Sequence, residues 1–206
     1  MKNELMVRIG RQIPHYKTID EFSIEAAFSS DKKYRYLLSM KYANTLLDSE
    51  RDKSIAVIMK NPSAADEKKA DATIRKVETF VYNRFLDVRQ LHILNIFAFR
   101  ATEPADLNQA FDVGDAMEVI GTENDRIIRN TLAEMDYIIL AWGNTSGIDK
   151  TMYEERIYRV KMMMEEVSRH KIFTITGRTK TKHPLHGLMW GYDYDIKPID
   201  EFQGQQ

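Results

Sequence analysis

The chain contains no cysteine among its 206 residues. Disulfide bonds, thiolate catalysis and cysteine-based zinc sites are therefore excluded. An excess of one charge is also missing, because 30 Lys and Arg residues face 31 Asp and Glu residues, for a formal net charge of −1. No overall basic field attracts nucleic acid, so any nucleic-acid interface has to be a local basic patch.

Long apolar runs are absent as well. No segment approaches the roughly 20 apolar residues of a membrane-spanning helix, and the first residues, MKNELMVR, hold no apolar core of signal-peptide length. We therefore expect a cytoplasmic protein with no membrane partner. A hydrophobic share of 43% with a charged share of 30% is typical of a globular domain with a full-sized core.

The most informative stretch is residues 54–63, SIAVIMKNPS. Its apolar, β-branched run predicts a strand buried on both faces, as in parallel sheets. Pro62 cannot donate to a sheet ladder and restricts the residue before it, so the strand has to end near Asn61. Asn61 and Ser63 then lie at the carboxyl end of a strand, where open α/β sheets bind ligands.

Three later segments also read as apolar strands that end in polar residues: LHILNIFAFR at 91–100, YIILAWGN at 137–144 and KIFTITG at 171–177. Helices are predicted between them. One is capped by Asp71, one opens with a capping-box variant at 122–125, and one runs from about 150 to 170. This alternation predicts a parallel sheet with helices on both faces.

The predicted architecture is a three-layer α/β/α fold. Its central, mostly parallel sheet has four strands, and a polar turn within residues 24–40 predicts an additional N-terminal β-hairpin. We assign residues 1–23 to an N-terminal arm and residues 24–206 to a single α/β domain.

Distinctive motifs are spread over most of the chain: YRY at 34–36, MKNPSAAD at 59–66, DATI at 71–74, NIFAFRATEP at 95–104, GTEND at 121–125, AWG at 141–143 and HPLH at 183–186. Together, from about Tyr34 to His186, they resemble a bacterial and phage family called domain of unknown function 1643. The resemblance implies a family without an assigned activity.

The order of the strand tips is also similar to the uracil-DNA glycosylase superfamily. That superfamily carries Asn-Pro or Asp-Pro after the first core strand, Asn on the second, Trp-Gly on the third and His-Pro after the fourth. The counterparts here are Asn61-Pro62, Asn95, Trp142-Gly143 and His183-Pro184. The resemblance implies a glycosylase-like fold whose site hydrolyses the N-glycosidic bond of a nucleobase in DNA or in a nucleotide.

That chemistry needs a water held on one face of the sugar and stabilisation of the negative charge that grows on the departing base. It also needs a pocket that recognises the base's edge. The resemblance implies that Asn61 holds the water, with Asp66 as the alternative carboxylate, and that His183 donates to the base. No cofactor and no metal are expected. The remaining candidates are Ser63, Asn95, Phe97, Arg100, Trp142 and Leu185 for substrate binding, with Leu185 as a wedge, and Arg178, Lys180 and Lys182 for phosphate.

Simpler explanations exist for these residues. Asn before Pro is ordinary turn chemistry, a buried Asn95 would also tie loops together, and a three-cation loop is usually only solvated. Two other functions therefore stay open. One is a non-catalytic nucleotide- or protein-binding module of phage or mobile-element origin, and the other is metal-dependent hydrolysis through Asp66, Asp71, His183 and His186.

Overall fold

A computed structural model describes residues 11–43, 50–101, 104–113, 117–166, 171–176 and 183–199. No helix in this part of the chain is long and apolar enough to cross a membrane. Two single-turn 3₁₀ helices span Glu21–Ser23 and Gly187–Met189. The strands and α-helices are β1 (Glu25–Phe28), β2 (Arg35–Lys41), β3 (Lys53–Met59), α1 (Ala72–Arg84), β4 (Val88–Asn95), α2 (Pro104–Val113), α3 (Met117–Ile120), α4 (Asn124–Leu132), β5 (Tyr137–Leu140), α5 (Lys150–Glu166), β6 (Lys171–Thr176) and β7 (Asp195–Pro198).

The strands form one sheet in the order β1-β2-β4-β3-β5-β6-β7. The central pairs β4-β3, β3-β5 and β5-β6 are parallel, whereas β1, β2 and β7 pair antiparallel at the edges. The mixed α/β class is confirmed, and the described residues form a seven-stranded sheet, whereas four central strands and an N-terminal hairpin were predicted. The hairpin β1-β2 joins the sheet through β4, and β7 was missed because its short DIKP segment carries almost no apolar signal.

Helices cover both faces of the sheet. In β3, Ile55 and Val57 pack with α1 on one face, and Ala56 and Ile58 pack with α2, α3, α4 and α5 on the other. All four of these β3 side chains are fully buried, as expected for the central strand of a parallel sheet. The carboxyl ends of β3, β4, β5 and β6 therefore lie along one edge between two helical layers.

Helix starts follow local capping chemistry at α1 but not at α4. The Asp71 carboxylate accepts from the amides of Thr73 and Ile74, which confirms the predicted cap. The predicted capping box at 122–125 is wrong, because α4 begins at Asn124 and no side chain caps it. The Asn124 amide instead donates to backbone carbonyl groups at the end of β4.

Residues 11–23 of the predicted arm lie against the domain. A bridge joins Ile13 to Ala70, and the His15 ring lies between the Glu78 carboxylate of α1 and the Asp66 carbonyl oxygen. Both partners are acceptors, so both ring nitrogens have to donate and the ring is an imidazolium. Burial opposes this charge, but the hydrogen bond and the negative charge of Glu78 outweigh it and raise the pKa of His15.

We expect this ion pair to make stability fall as pH rises above about 6.5. A folded-state pKa above the unfolded value of about 6.5 gives stabilisation that is complete below that pH and is lost as pH rises through the folded pKa. Urea unfolding between pH 6 and pH 9 should show this decline in the wild type and a flatter profile in His15→Gln.

His92 provides the matched control. It is a buried histidine with neither ring nitrogen hydrogen-bonded among the described residues, and burial lowers its pKa to about 4. Its folded form is neutral above pH 6, and its unfolded form, with a pKa of about 6.5, has lost its proton by about pH 7.5, so above that pH His92→Gln should keep the wild-type slope. A slope that is unchanged in His15→Gln would contradict the assignment of the imidazolium.

Candidate functional site

The sheet reverses its direction of winding between β3 and β5. The chain leaves β3 toward α1 on one face and leaves β5 toward α5 on the other, so the two connections diverge. In open α/β sheets such a switch point forms a crevice outside the carboxyl ends of the strands, where ligands bind. We call the space beside Lys60, Gly143 and His186 the crevice.

Lys60 follows β3 directly and is only 7% exposed. Its Nζ donates to the carbonyl groups of Asn144 and Thr145 in the loop after β5 and lies 5.5 Å from the centroid of the Tyr153 ring. Burial lowers the pKa of Lys60 to about 8. The ammonium group therefore ties the two strand ends together and lies at the switch point itself.

His186 reaches the crevice because Gly143 leaves room for it. Gly143 has a φ of 73°, and a Cβ at this position would lie 2.8 Å from the His186 Cβ. A Cβ added at the next residue, Gly187, would likewise lie 2.8 Å from Val77 Cγ2, so the segment packs closely against the first turns of α1. His186 thus lies between the Lys60 charge and the Asp71 charge, both of which act on its pKa.

The hydrogen bonds of His186 define its tautomer. The Leu188 amide donates to His186 Nδ1 at 3.3 Å, so Nδ1 is an acceptor and the proton of the neutral ring is on Nε2. Burial, assisted by the positive charge of Lys60, lowers the pKa of His186 to about 4. At neutral pH His186 is an uncharged imidazole whose Nε2–H has no partner among the described residues.

His183 occupies a different environment. Its Nε2 lies 3.4 Å from the Glu154 carboxylate of α5, and its ring meets Tyr153 edge-on with centroids 5.7 Å apart. The Tyr153 hydroxyl donates to the Trp142 and Gly143 carbonyl groups, which holds that ring at the end of β5. His183 is thus paired with an acid, whereas His186 is not.

Asn61 is half-buried and held in one orientation. Its Nδ2 donates to the Ala101 carbonyl at 2.6 Å and to the Pro62 carbonyl at 3.2 Å. A carbonyl partner can only accept, so the nitrogen faces Ala101 and the Oδ1 faces away. Within the part of the chain that the structure describes, this Oδ1 has no partner and is available to accept from a water.

Asn95 ends β4 and is completely buried. Neither its Nδ2 nor its Oδ1 has a hydrogen-bond partner among the described residues. Its register partner is Met59, whose sulfur lies beside Gly187, so Asn95 is one strand away from the 183–187 segment. A buried amide without partners is costly and calls for an explanation.

Two other predicted residues, Asp66 and Arg100, line a small cavity, and Ser63 lies beside Arg100. Arg100 donates from Nε to the Ser63 carbonyl and from Nη1 to the Lys32 carbonyl, and it lines a cavity of about 150 Å³ together with Asp66. Burial raises the pKa of Asp66, but the amides of Lys68 and Lys69 donate to its Oδ1 and lower the pKa overall. Asp66 thus stabilises a turn as a fully engaged carboxylate.

The remaining predicted residues are less accessible. Phe97 and Trp142 are at most 1% exposed and belong to the core under α5. Leu185 is half-buried against the core under α1, and its carbonyl accepts from Trp190 Nε1. Arg178, Lys180 and Lys182 lie outside the described residues.

Sequence reasoning overlooked Lys60 and Tyr153 and considered His186 only as a metal ligand. The available signal was position, because Lys60 directly precedes Asn61-Pro62 and His186 closes the His-Pro-Leu-His motif. Across the described ranges, no group of three or more His, Asp or Glu side chains is placed to hold a metal ion. Asp66, Asp71, His183 and His186 therefore form no metal centre.

A family model described as "Protein of unknown function (DUF1643)" matches residues 35–186. Comparison with curated proteins and with solved structures finds no match. The matched range contains the crevice residues and Asn95, so the candidate site lies within the domain that the family shares.

Proposed function

The chain belongs to the family of proteins of unknown function DUF1643, and from that premise we propose that its crevice binds a nucleobase and hydrolyses the N-glycosidic bond in a nucleotide or in DNA. The observation that carries the proposal is the Asn95 side chain, fully buried at a strand tip with both amide atoms unpartnered among the described residues.

An amide is suited to reading a nucleobase. Its Nδ2 donates and its Oδ1 accepts side by side, which matches the paired acceptor and donor groups on a base edge. Such a bidentate pair contributes about 1–3 kcal/mol of discrimination between bases. A base that enters beside Met59 would satisfy both atoms of Asn95 and remove the cost of leaving them unpaired.

The residues around the crevice supply the two other requirements of the reaction. Asn61 Oδ1 would accept a hydrogen bond from a water and hold its oxygen toward the sugar C1′. As the C1′–N bond breaks, its electron pair moves into the base, and the Nε2–H of neutral His186 would donate to the carbonyl oxygen that gains charge. The water oxygen bonds to C1′, and its released proton ends on the departing base.

The direct test is release of free base from uracil-, hypoxanthine- and modified-base-containing single- and double-stranded DNA and from free nucleosides. We expect release by the wild type and a loss of about 100-fold or more in Asn61→Ala and in His186→Gln. His183→Gln should lose less, because His183 is paired with Glu154. Retention of full activity in Asn61→Ala and His186→Gln would contradict the proposed roles.

A second function has its own support. The nearby carboxylates already have hydrogen-bond partners. Asp66 accepts from two backbone amides and from the Gln12 side chain, and Asp71 accepts from two amides at the start of α1, so neither is free to activate water. This favours a non-catalytic nucleotide- or protein-binding module that uses the same pocket. Under that alternative, no panel member releases base, yet nucleotides raise the melting temperature of the wild type and not of Asn95→Leu.

A further inference from the structure

Lys60 has surroundings that ordinary structural lysines lack. It is buried at the switch point, next in sequence to Asn61, and among the described residues no carboxylate pairs with it. Its neighbours are two carbonyl oxygens and the face of Tyr153. An ammonium has three N–H donors, so one remains directed elsewhere.

The ammonium form predominates at neutral pH, but burial makes the uncharged amine more accessible than it is in an exposed lysine. Burial penalises the ammonium form, no anion compensates for it, and the pKa is lowered to about 8, so that a substantial share of Lys60 is neutral slightly above neutrality. A desolvated lysine of this kind is the usual nucleophile for carbonyl carbon atoms. The two carbonyl groups also hold the nitrogen in a fixed position.

We propose that Lys60 forms an imine with the aldehyde carbon of a deoxyribose from which the base has been removed, which gives the crevice a second, lyase activity. The choice of this sugar rests on the proposed function, because base hydrolysis next to Asn61 produces that aldehyde when the sugar ring opens. Lys60 and Asn61 both follow β3, and their side chains contact the loop after β5 and the Ala101 carbonyl respectively, so a sugar bound over the end of β3 would lie between the two groups.

The reaction needs neither an oxidant nor a reductant. The neutral Nζ attacks the C1′ aldehyde, a C–N bond forms, and the carbonyl oxygen leaves as water after two proton transfers. The imine makes the C2′ proton acidic, and its loss to solvent forms a C2′=C3′ double bond as the 3′-phosphate leaves. A second water then hydrolyses the imine, which restores Lys60 and releases an unsaturated aldehyde.

Borohydride trapping tests this directly, because reduction converts the imine into a stable amine. The probes are an oligonucleotide with a preformed abasic site and, separately, 2-deoxyribose 5-phosphate, and intact-protein and peptide mass spectrometry are the readouts. We expect an adduct that maps to Lys60 in the wild type and falls to background in Lys60→Arg, which keeps the cation and its donors. Lys171→Met, an exposed lysine at the opposite edge of the sheet, should react as the wild type does.

The two probes separate a polymer substrate from a monomer substrate. An adduct on another lysine, an undiminished adduct in Lys60→Arg, or no adduct with either probe would overturn the proposal. Because both probes lack a base, the result is independent of base release. Adduct formation without base release would contradict the proposed hydrolase activity and support the lyase activity. Base release without an adduct would support the hydrolase activity and contradict the lyase activity.

Discussion

Replacing Asn95 by Leu is expected to weaken nucleobase recognition while leaving the protein as stable as the wild type or more stable by about 1 kcal/mol. The two amide atoms have no partners among the described residues. An apolar side chain of similar size therefore removes the free-energy cost of two unpaired polar atoms and breaks no side-chain hydrogen bond. Base release or nucleotide binding should fall roughly 10- to 100-fold, the equivalent of the lost bidentate pair. Urea unfolding and the activity assay on one preparation measure both effects.

Asn124 is the matched control for this prediction. It is also a fully buried asparagine, but its Nδ2 donates to the Asn95 carbonyl at 3.0 Å and to the Ile96 carbonyl at 3.3 Å. Asn124→Leu should therefore destabilise the protein by about 1–3 kcal/mol. If Asn95→Leu destabilises to the same extent, Asn95 is a structural residue and the recognition proposal fails.

Substituting Gly143 by Ala should lower the free energy of unfolding by about 2 kcal/mol and remove activity from the molecules that still fold. The φ of 73° is costly for a residue with a Cβ, and that Cβ would lie 2.8 Å from the His186 Cβ. The 183–187 segment has to shift, which moves the His186 donor away from the crevice. Unfolding curves and activity per folded molecule separate the two effects.

Gly147, in the same loop, has a φ of 90° and supplies the control for backbone strain. Gly147→Ala should lose a similar 1–2 kcal/mol or so of stability from the left-handed conformation but keep its activity within about threefold. Equal losses of activity in both variants would show that loop strain, rather than the position of His186, determines the reaction.

Much of the fold could be predicted from periodicity. The β-branched run at Ile55–Ile58 and the helical spacing of Ile74 and Val77 are local signals, and burial on both faces of β3 follows from the first of them. The edge strand β7 and the missing cap of α4 were not predictable, because edge strands need little apolar content and caps depend on the exact first residue of a helix.

The candidate site was predictable only in part. Asn61 was found because it ends an apolar run and Asn95 because it interrupts one, whereas Lys60 looked like an ordinary charged residue before a turn. Its function depends on the Asn144 and Thr145 carbonyl groups, more than 80 residues away in sequence. Likewise, the difference between His183 and His186 comes from Glu154 and Gly143, which no local pattern connects to them.

Recognition of a nucleobase by Asn95 is tested by the response of its side-chain amide to free nucleobases in ¹H–¹⁵N NMR spectra. The resonance pair is assigned by its absence in Asn95→Leu. We expect at least one base to shift this pair strongly, because both amide atoms gain partners on binding. A base that binds without shifting the Asn95 pair, or a complete panel of bases that leaves the pair unshifted, would show that Asn95 does not recognise a nucleobase.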